Sequence, residues 1–292
     1  MEQIIIFSVL ISSLYALIAV GFTMIFGVAR VLNLAHGAFL MIAAYSAYSL
    51  SVLLSLNPYL AFVVAVVITA LFAMLIYKGL VRYVQDSVIS TLIVTLVLSL
   101  VLEQLIRYAD TLASLHPMLQ WLKVAFGAEG TSMLLGTQVI NNRLLAFGVS
   151  WLMIGLLGLF VSKTKTGKAI MACAMDRMGA ELVGIDSAKI YTVTWGISGA
   201  LAGVAGVFLA AFTSMVPHMW IDPLIISFAI VVLGGLGSIR GSLLAAYVIG
   251  FIETLTQYTP GLGPNWVGVP SLIILILILI VRPQGFFGIK TS

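Results

Sequence analysis

The chain has 292 residues, of which 62% are apolar and only 8% are Asp, Glu, Lys or Arg, leaving a net charge of +4. A soluble domain carries about 25% charged residues, and so little charge has no way to cover so much apolar surface. The composition excludes a soluble enzyme, a nucleic-acid binder, a disordered chain and a disulfide scaffold. The lone cysteine, Cys173, also excludes a cysteine-based metal site.

The spans read as helices. Barrel strands would be short and alternating, whereas Tyr59 to Tyr77 and Ser271 to Val281 are continuous apolar runs. A helix satisfies its own backbone hydrogen bonds in lipid. Gln3 to Ala29 is uncharged, follows Glu2, and has no basic segment before it, so it predicts a retained span over 5–28 rather than a signal peptide. Val31 to Tyr77 is long enough for two spans, and Asn57-Pro58 is a turn signal between them. That predicts spans over 35–55 and 59–77. A fourth span follows over 87–106. Residues 107–143 form a polar-punctuated loop. A fifth span covers 144–162, and 163–189 is the most charged stretch. A sixth covers 190–212. The apolar region 224–258 is divided by Arg240, and the last span covers 266–281. The expected fold class is all-α: a polytopic transmembrane helical bundle of about eight to nine spans, with two pseudo-repeated halves and discontinuous helices. Lys and Arg favour cytoplasmic loops. Placing Lys78 and Arg82 there puts 11 of the 14 basic residues on that side, with the N-terminus outside and the C-terminus cytoplasmic.

Two segments interrupt the apolar sequence. One is Asn33-Leu-Ala-His36-Gly37. The other is Gly234-Gly235-Leu-Gly237-Ser238-Ile-Arg240-Gly241. Aligning His36-Gly37 with Arg240-Gly241 suggests a repeated broken helix. Glycines let the backbone unwind there, and a restarted helix aims its amides at an anion such as a carboxylate. Both segments also fit simple cytoplasmic turns with a snorkelling arginine. Asn33, His36, Gly37, Gly234, Gly235, Gly237, Ser238 and Gly241 are the candidate substrate-path residues. Alone, His36 fits a hydrogen-bonded packing residue. Glu103 and Glu253 fall near helix ends, where they fit interfacial or paired carboxylates as well as ligand-facing ones. Gly199, Gly203 and Gly206 form a small-residue stripe for close helix contact. In the charged stretch, residues 168–183 favour helix, with Ala169, Ala172, Met175, Met178 and Leu182 as one apolar stripe and Gly184 as a stop. Such a helix could lie on headgroups or dock into a partner's groove.

Tyr15-Ala-Leu-Ile-Ala-Val-Gly-Phe-Thr-Met-Ile-Phe-Gly27 with Asn33-Leu-Ala-His-Gly37, Thr166-Gly-Lys-Ala with Ala180-Glu-Leu-Val-Gly-Ile185, Leu233 to Gly241, and Arg282-Pro-Gln-Gly285 occur in this order. Together they resemble the branched-chain amino-acid ABC importer permeases of the LivH type, over nearly the whole chain. Arg240 departs from the family pattern, where an uncharged residue is expected, and 107–143 matches poorly. The resemblance implies a single permease domain over 1–292, with 163–189 as a cytoplasmic coupling loop and 107–143 as an extracytoplasmic loop. It implies import of branched-chain or other apolar neutral amino acids across the plasma (inner) membrane. The implied partners are a second related permease, two ATP-binding-cassette ATPases, an extracytoplasmic binding protein and membrane lipid, with no nucleic acid. Gly167, Lys168, Ala172, Met175, Ala180 and Gly184 would belong to the coupling helix. ATP and Mg would bind the partner subunits, leaving no cofactor here. Consistently, the sequence has no Gly-x-x-x-x-Gly-Lys-Ser/Thr stretch to cradle phosphates. Urea or a short amide is an alternative cargo. An ion-coupled transporter acting alone is a different class, and would need a carboxylate relay for which Glu103 and Glu253 are the candidates.

Overall fold

The computed structural model of the chain describes residues 2–113, 130–212, 215–282 and 285–287. Helices α1 (Glu2–Ala29), α2 (His36–Val52), α3 (Pro58–Gly79) and α4 (Val88–Ala113) come first. A hairpin of β1 (Thr131–Leu134) and β2 (Thr137–Ile140) precedes α5 (Asn141–Lys163). Two short helices follow, α6 (Lys165–Met175) and α7 (Arg177–Leu182). Then come α8 (Ser187–Phe212), α9 (Ile221–Gly234), α10 (Ile239–Tyr258) and α11 (Val269–Val281). Among the described residues, α1, α3, α4, α5, α8 and α10 are long and apolar enough to cross a membrane, while α9 and α11 are shorter apolar helices. The fold is the polytopic helical bundle that the composition demands.

Local chemistry sets the boundaries. The Asn57 side chain accepts from the Tyr59 amide at 2.9 Å, and Pro58 occupies the first helical position of α3, where its missing N–H costs nothing. Arg30, at the end of α1, takes a positive φ of 55° and turns the chain back.

The bundle centres on α1 and α8, which are the most buried spans. They touch directly, with Ser198 Oγ donating to the Gly21 carbonyl at 2.8 Å. Each central helix then pairs with a long helix of the other half. α1 runs antiparallel to α10, from the Phe7–Tyr258 stack to a 2.6 Å hydrogen bond between the Thr23 and Ser242 hydroxyls. α8 runs antiparallel to α3, from Phe208 against Phe62 to Tyr191 against Tyr77. Each half thus contains a central helix, a short helix, a long partner and an outer helix, in that order. Because α1 and α8 point in opposite directions, the halves are inverted. The glycine stripe provides the close packing expected of it: Gly199 and Gly203 lie on Thr69, Ala73 and Val66 of α3, and Gly206 lies on the Leu40 backbone of α2.

Two expectations need correction. Residues 107–143 are not one loop. α4 continues through Arg107, whose guanidinium pairs with Glu103 one turn earlier at 2.6 Å. Residues 131–140 form the hairpin, and Val139 packs onto Ile6 and Leu10 of α1. Residues 114–129 lie outside the described residues. The stretch 168–183 is likewise not one helix. Asp176 is extended and caps α7 by accepting from the Met178 amide at 3.0 Å, which breaks the helix in two. The expected stripe is therefore not a continuous buried face. Gly167, Ile170, Cys173 and Ala180 point inward, Ala169 and Ala172 are half-buried, and Met175, Met178 and Leu182 face out.

Candidate functional site

After α1 the chain doubles back through 30–35 without forming a helix. α2 restarts at His36, whose Nε2 lies 3.0 Å from the Ile18 carbonyl. Roughly 16 Å of helical rise separates Ile18 from the end of α1, so α2 begins deep in the bundle. An extended segment at that depth needs partners for its polar groups. α4 supplies them: the Leu34 amide donates to Thr95 Oγ1 at 3.2 Å, and Ser99 Oγ donates to the Leu34 carbonyl at 3.3 Å. Asn33 Oδ1 accepts from the Ala35 amide at 3.0 Å, an Asx turn that starts α2. Asn33 Nδ2 is buried and has no hydrogen-bond partner among the described residues. His36 is fully buried between the edges of Phe22 and Phe39, with Nδ1 3.3 Å from Ser198 Oγ.

Gly37 marks a closer approach. A side chain there would run into the Trp220 carbonyl oxygen, 2.6 Å from the position of its Cβ. Trp220 immediately precedes α9. The first turns of the two short helices, one from each half, therefore meet inside the bundle. Paired broken helices adopt this arrangement. Trp220 is fixed by donating Nε1 to Glu103 Oε2 at 2.9 Å.

Arg240 is not the counterpart of His36. It is exposed in the first turn of α10, near the end of the bundle that carries Arg30. The segment 235–238 is a tight hairpin between α9 and α10 rather than a break in one helix. Gly234 and Gly241 touch backbone to backbone, and a Cβ on either would overlap the other. Gly235 and Gly237 have positive φ, and Ser238 accepts from the Gly241 amide at 3.1 Å. The terminal segment completes this unit. The amides of Phe286 and Phe287 donate to the Leu233 and Gly234 carbonyls at 2.9 and 3.1 Å, supplying the end of α9 with donors. Two separate sequence motifs, 233–241 and 282–285, are thus neighbours in space.

Two cavities lie toward opposite ends of α1. The one at the Arg30 end has a volume of about 460 Å³ and lies between Gly27, α6 and the hairpin residues Gly237 and Ser238. The one at the opposite end has about 290 Å³ and is lined by Tyr15, Arg143, Asp222 and Glu253 over an apolar floor. Phe22 of α1 packs on Phe228 of α9 with ring centroids 6.1 Å apart. Glu253 is fully engaged: its oxygens accept from the amides of Gly268 and Ser271 at 3.0 and 3.2 Å, and from the Ser271 hydroxyl, so it caps α11.

The structure does not gather the candidate path residues in one place. Asn33, His36 and Gly37 lie at the meeting of α2 and α9. Gly234, Gly235, Gly237, Ser238 and Gly241 lie at the hairpin. Gly237 and Ser238 line the cavity at the Arg30 end. Of the coupling residues, Met175 lines that same cavity, Gly167 and Ala180 are buried, and Lys168 and Gly184 are exposed. Sequence reasoning missed Arg143, Asp222 and Tyr15. Arg143 and Asp222 were legible as isolated charges bordering apolar runs, but nothing in the sequence joins residues so far apart.

The family model described as the branched-chain amino acid transport system permease component matches residues 4–280. The chain is 31% identical over 289 residues to the high-affinity branched-chain amino acid transport system permease protein BraD of Pseudomonas aeruginosa, covering 95% of this chain and 92% of that one. It is 30% identical over 290 residues to LivH of Escherichia coli K12, covering 96% and 93%. It is 33% identical over 293 residues to a probable branched-chain amino acid transport permease of Methanocaldococcus jannaschii, covering 97% and 91%. No solved structure matches it. A bundle of inverted halves with broken helices meeting inside it, joined to a match that runs almost from end to end, places this chain in the branched-chain amino-acid transport system permease family.

Proposed function

We propose that the chain is the membrane subunit of an ATP-binding-cassette importer that carries branched-chain or other apolar neutral amino acids across the plasma membrane. The observation that carries this reading is the family match over residues 4–280 joined to a bundle of two halves whose short helices meet inside it at Gly37 and Trp220, with a cavity toward each end of α1. Inverted halves whose short helices meet inside the bundle suit alternating access, in which one half rocks against the other. The names of the relatives supply the substrate class.

The chain has no phosphate-binding loop, so the driving force comes from partners. Two ATPase subunits bind ATP and Mg, a second related permease completes the pathway, and an extracytoplasmic binding protein delivers substrate. The ATPases dock on α6 and α7. Met175 and Leu182 are 85% and 84% exposed there, beside Met171, Met178 and Val183. Flexible methionines suit an interface that must stay in contact while it moves. Gly167 and Ala180 pack these helices against the bundle, Ala172 is half-buried between them, and Gly184, with φ of 86°, ends α7. Lys168 lies on the outer face. The guanidinium of Arg30 is 3.5 Å from the Ala174 carbonyl, linking α6 to the start of the broken segment. Motion of α6 would thus act on the hairpin cavity and on 30–35. By the basic-residue bias, this end faces the cytoplasm.

The two carboxylates that the sequence offers as an ion-coupling relay are both engaged. Glu103 is held by Arg107 and Trp220, and Glu253 by the start of α11, so neither stands free as a relay. The test is a mild-detergent purification of the tagged chain with its neighbouring genes expressed, followed by mass spectrometry. Recovery of ATPase subunits and a second permease supports the reading. A clean homo-oligomer without an ATPase overturns it.

A further inference from the structure

We propose that the 290 Å³ cavity at the end of the bundle opposite Arg30 is a binding site for a zwitterionic α-amino acid, with Arg143 receiving the carboxylate and Asp222 the ammonium group. This rests on the importer reading and names the residues that would take cargo from the binding protein. The volume is at the lower end for ligand pockets, which suits a single amino acid.

Arg143 is the strongest pointer. It lies in the first turn of α5, where a cation opposes the helix dipole, so helix stability does not account for it. Among the described residues it has no carboxylate partner. Its guanidinium is instead held by two aromatic rings, 4.9 Å from the Phe7 centroid and 5.8 Å from that of Phe212. Ring faces position an arginine without neutralising it or using its in-plane donors. Those donors match a carboxylate in a two-pronged hydrogen bond.

Asp222 faces the same cavity from the first turn of α9, and it too has no ion-pair partner among the described residues. An acid at that position is favourable to the helix on its own. What the dipole does not explain is an unpaired acid and an unpaired guanidinium lining one small cavity. Glu253 is the remaining charge, and its oxygens are spent on capping α11. Leu10, Ile11 and Leu209 supply apolar walls for a branched side chain. A neutral zwitterion satisfies both free charges and leaves the net charge of the cavity unchanged.

The test uses the purified whole complex. Tritiated leucine binding is measured without binding protein, in competition with leucinamide, which lacks the carboxylate, and N-acetylleucine, which lacks the ammonium. ATP-driven uptake is measured in parallel. Wild-type protein should bind leucine and neither analogue should compete. Arg143→Gln and Asp222→Asn should each weaken binding by about 10- to 100-fold, as expected when one partner of a charge-assisted hydrogen bond is removed. Arg143→Lys, which keeps the charge and tolerates the aromatic seat, should recover part of the loss and shows that the Gln variant is not merely misfolded. Equal competition by both analogues, or wild-type binding in both neutral variants, overturns the site while uptake can continue. Wild-type leucine binding without any ATP-driven uptake overturns the importer reading instead. No leucine binding by the wild type overturns the site.

Discussion

His36 holds three parts of the bundle together. Its ring bridges the Ile18 carbonyl of α1 and the Ser198 hydroxyl of α8, and it sits at the first residue of α2. Replacing it with Ala leaves the Ser198 hydroxyl without its ring partner and opens a void beside Phe22 and Phe39. His36→Ala should therefore lose about 1–3 kcal/mol of stability, read as a lower midpoint in a detergent thermal-unfolding assay. An unchanged midpoint would show that these bonds do not hold α2 in place. Gly37 is the second position at this scale. Its chain-neighbour role was readable as a flexible spot after a histidine, but its actual constraint is the Trp220 carbonyl from the other half of the molecule. That contact spans a distance in sequence that no local pattern encodes.

At the scale of elements, the apolar runs and the Asn57-Pro58 turn made the spans legible, because lipid imposes length and the capping chemistry is local. The inward start of α2 was legible only as a possibility. What decides it is the α4 hydroxyl ladder, in which Thr95 and Ser99 satisfy both polar groups of Leu34. Serines and threonines in an apolar helix usually bond to their own backbone, so the sequence does not mark these two as partners of another segment. Removing both hydroxyls with Thr95→Val and Ser99→Ala orphans the Leu34 amide and carbonyl. The double variant should be destabilised by about 1–3 kcal/mol, since both groups are part-buried and the Ser99 hydroxyl also donates to the Thr95 carbonyl at 3.0 Å. Amide exchange at 30–35 should rise with it, and slow exchange there would contradict the account. The short helices α6 and α7 give a second test. The sequence pattern placed one apolar stripe over 169–182, but the Asp176 cap splits it and turns the large residues outward. Ala180 packs inward, so a charge there would disturb the fold. Met175→Asp with Leu182→Asp changes only exposed positions. It should abolish recovery of the ATPases on purification while leaving the chain monodisperse. Full recovery would remove α6 and α7 as the docking surface.

For the whole molecule, two pseudo-repeated halves came through in the sequence, with the wrong register and without their inversion. Two similar glycine segments suggested His36 and Arg240 as counterparts, whereas the helices that correspond are α2 and α9. The repeat lives in helix order and direction, which the packing reveals, and not in matching side chains. Sidedness is the other property at this scale. Cysteines introduced at Ser55 and at Lys165, both exposed and at opposite ends, should react differently with an impermeant maleimide. The first should label in intact cells and the second only after permeabilisation. Native Cys173 gives little background, since burial pushes its thiol up from the usual range and keeps it in the protonated, unreactive form. Reversed labelling would invert the orientation.

In the proposed function this bundle moves neutral branched amino acids with energy supplied by partner ATPases. The most direct measurement is uptake of tritiated leucine into proteoliposomes holding the co-purified complex, with binding protein outside and ATP supplied to the ATPase face. Accumulation should need ATP, be competed by valine, and be indifferent to urea and to dissipating ion gradients. Accumulation that collapses with the ion gradients and ignores ATP would contradict it.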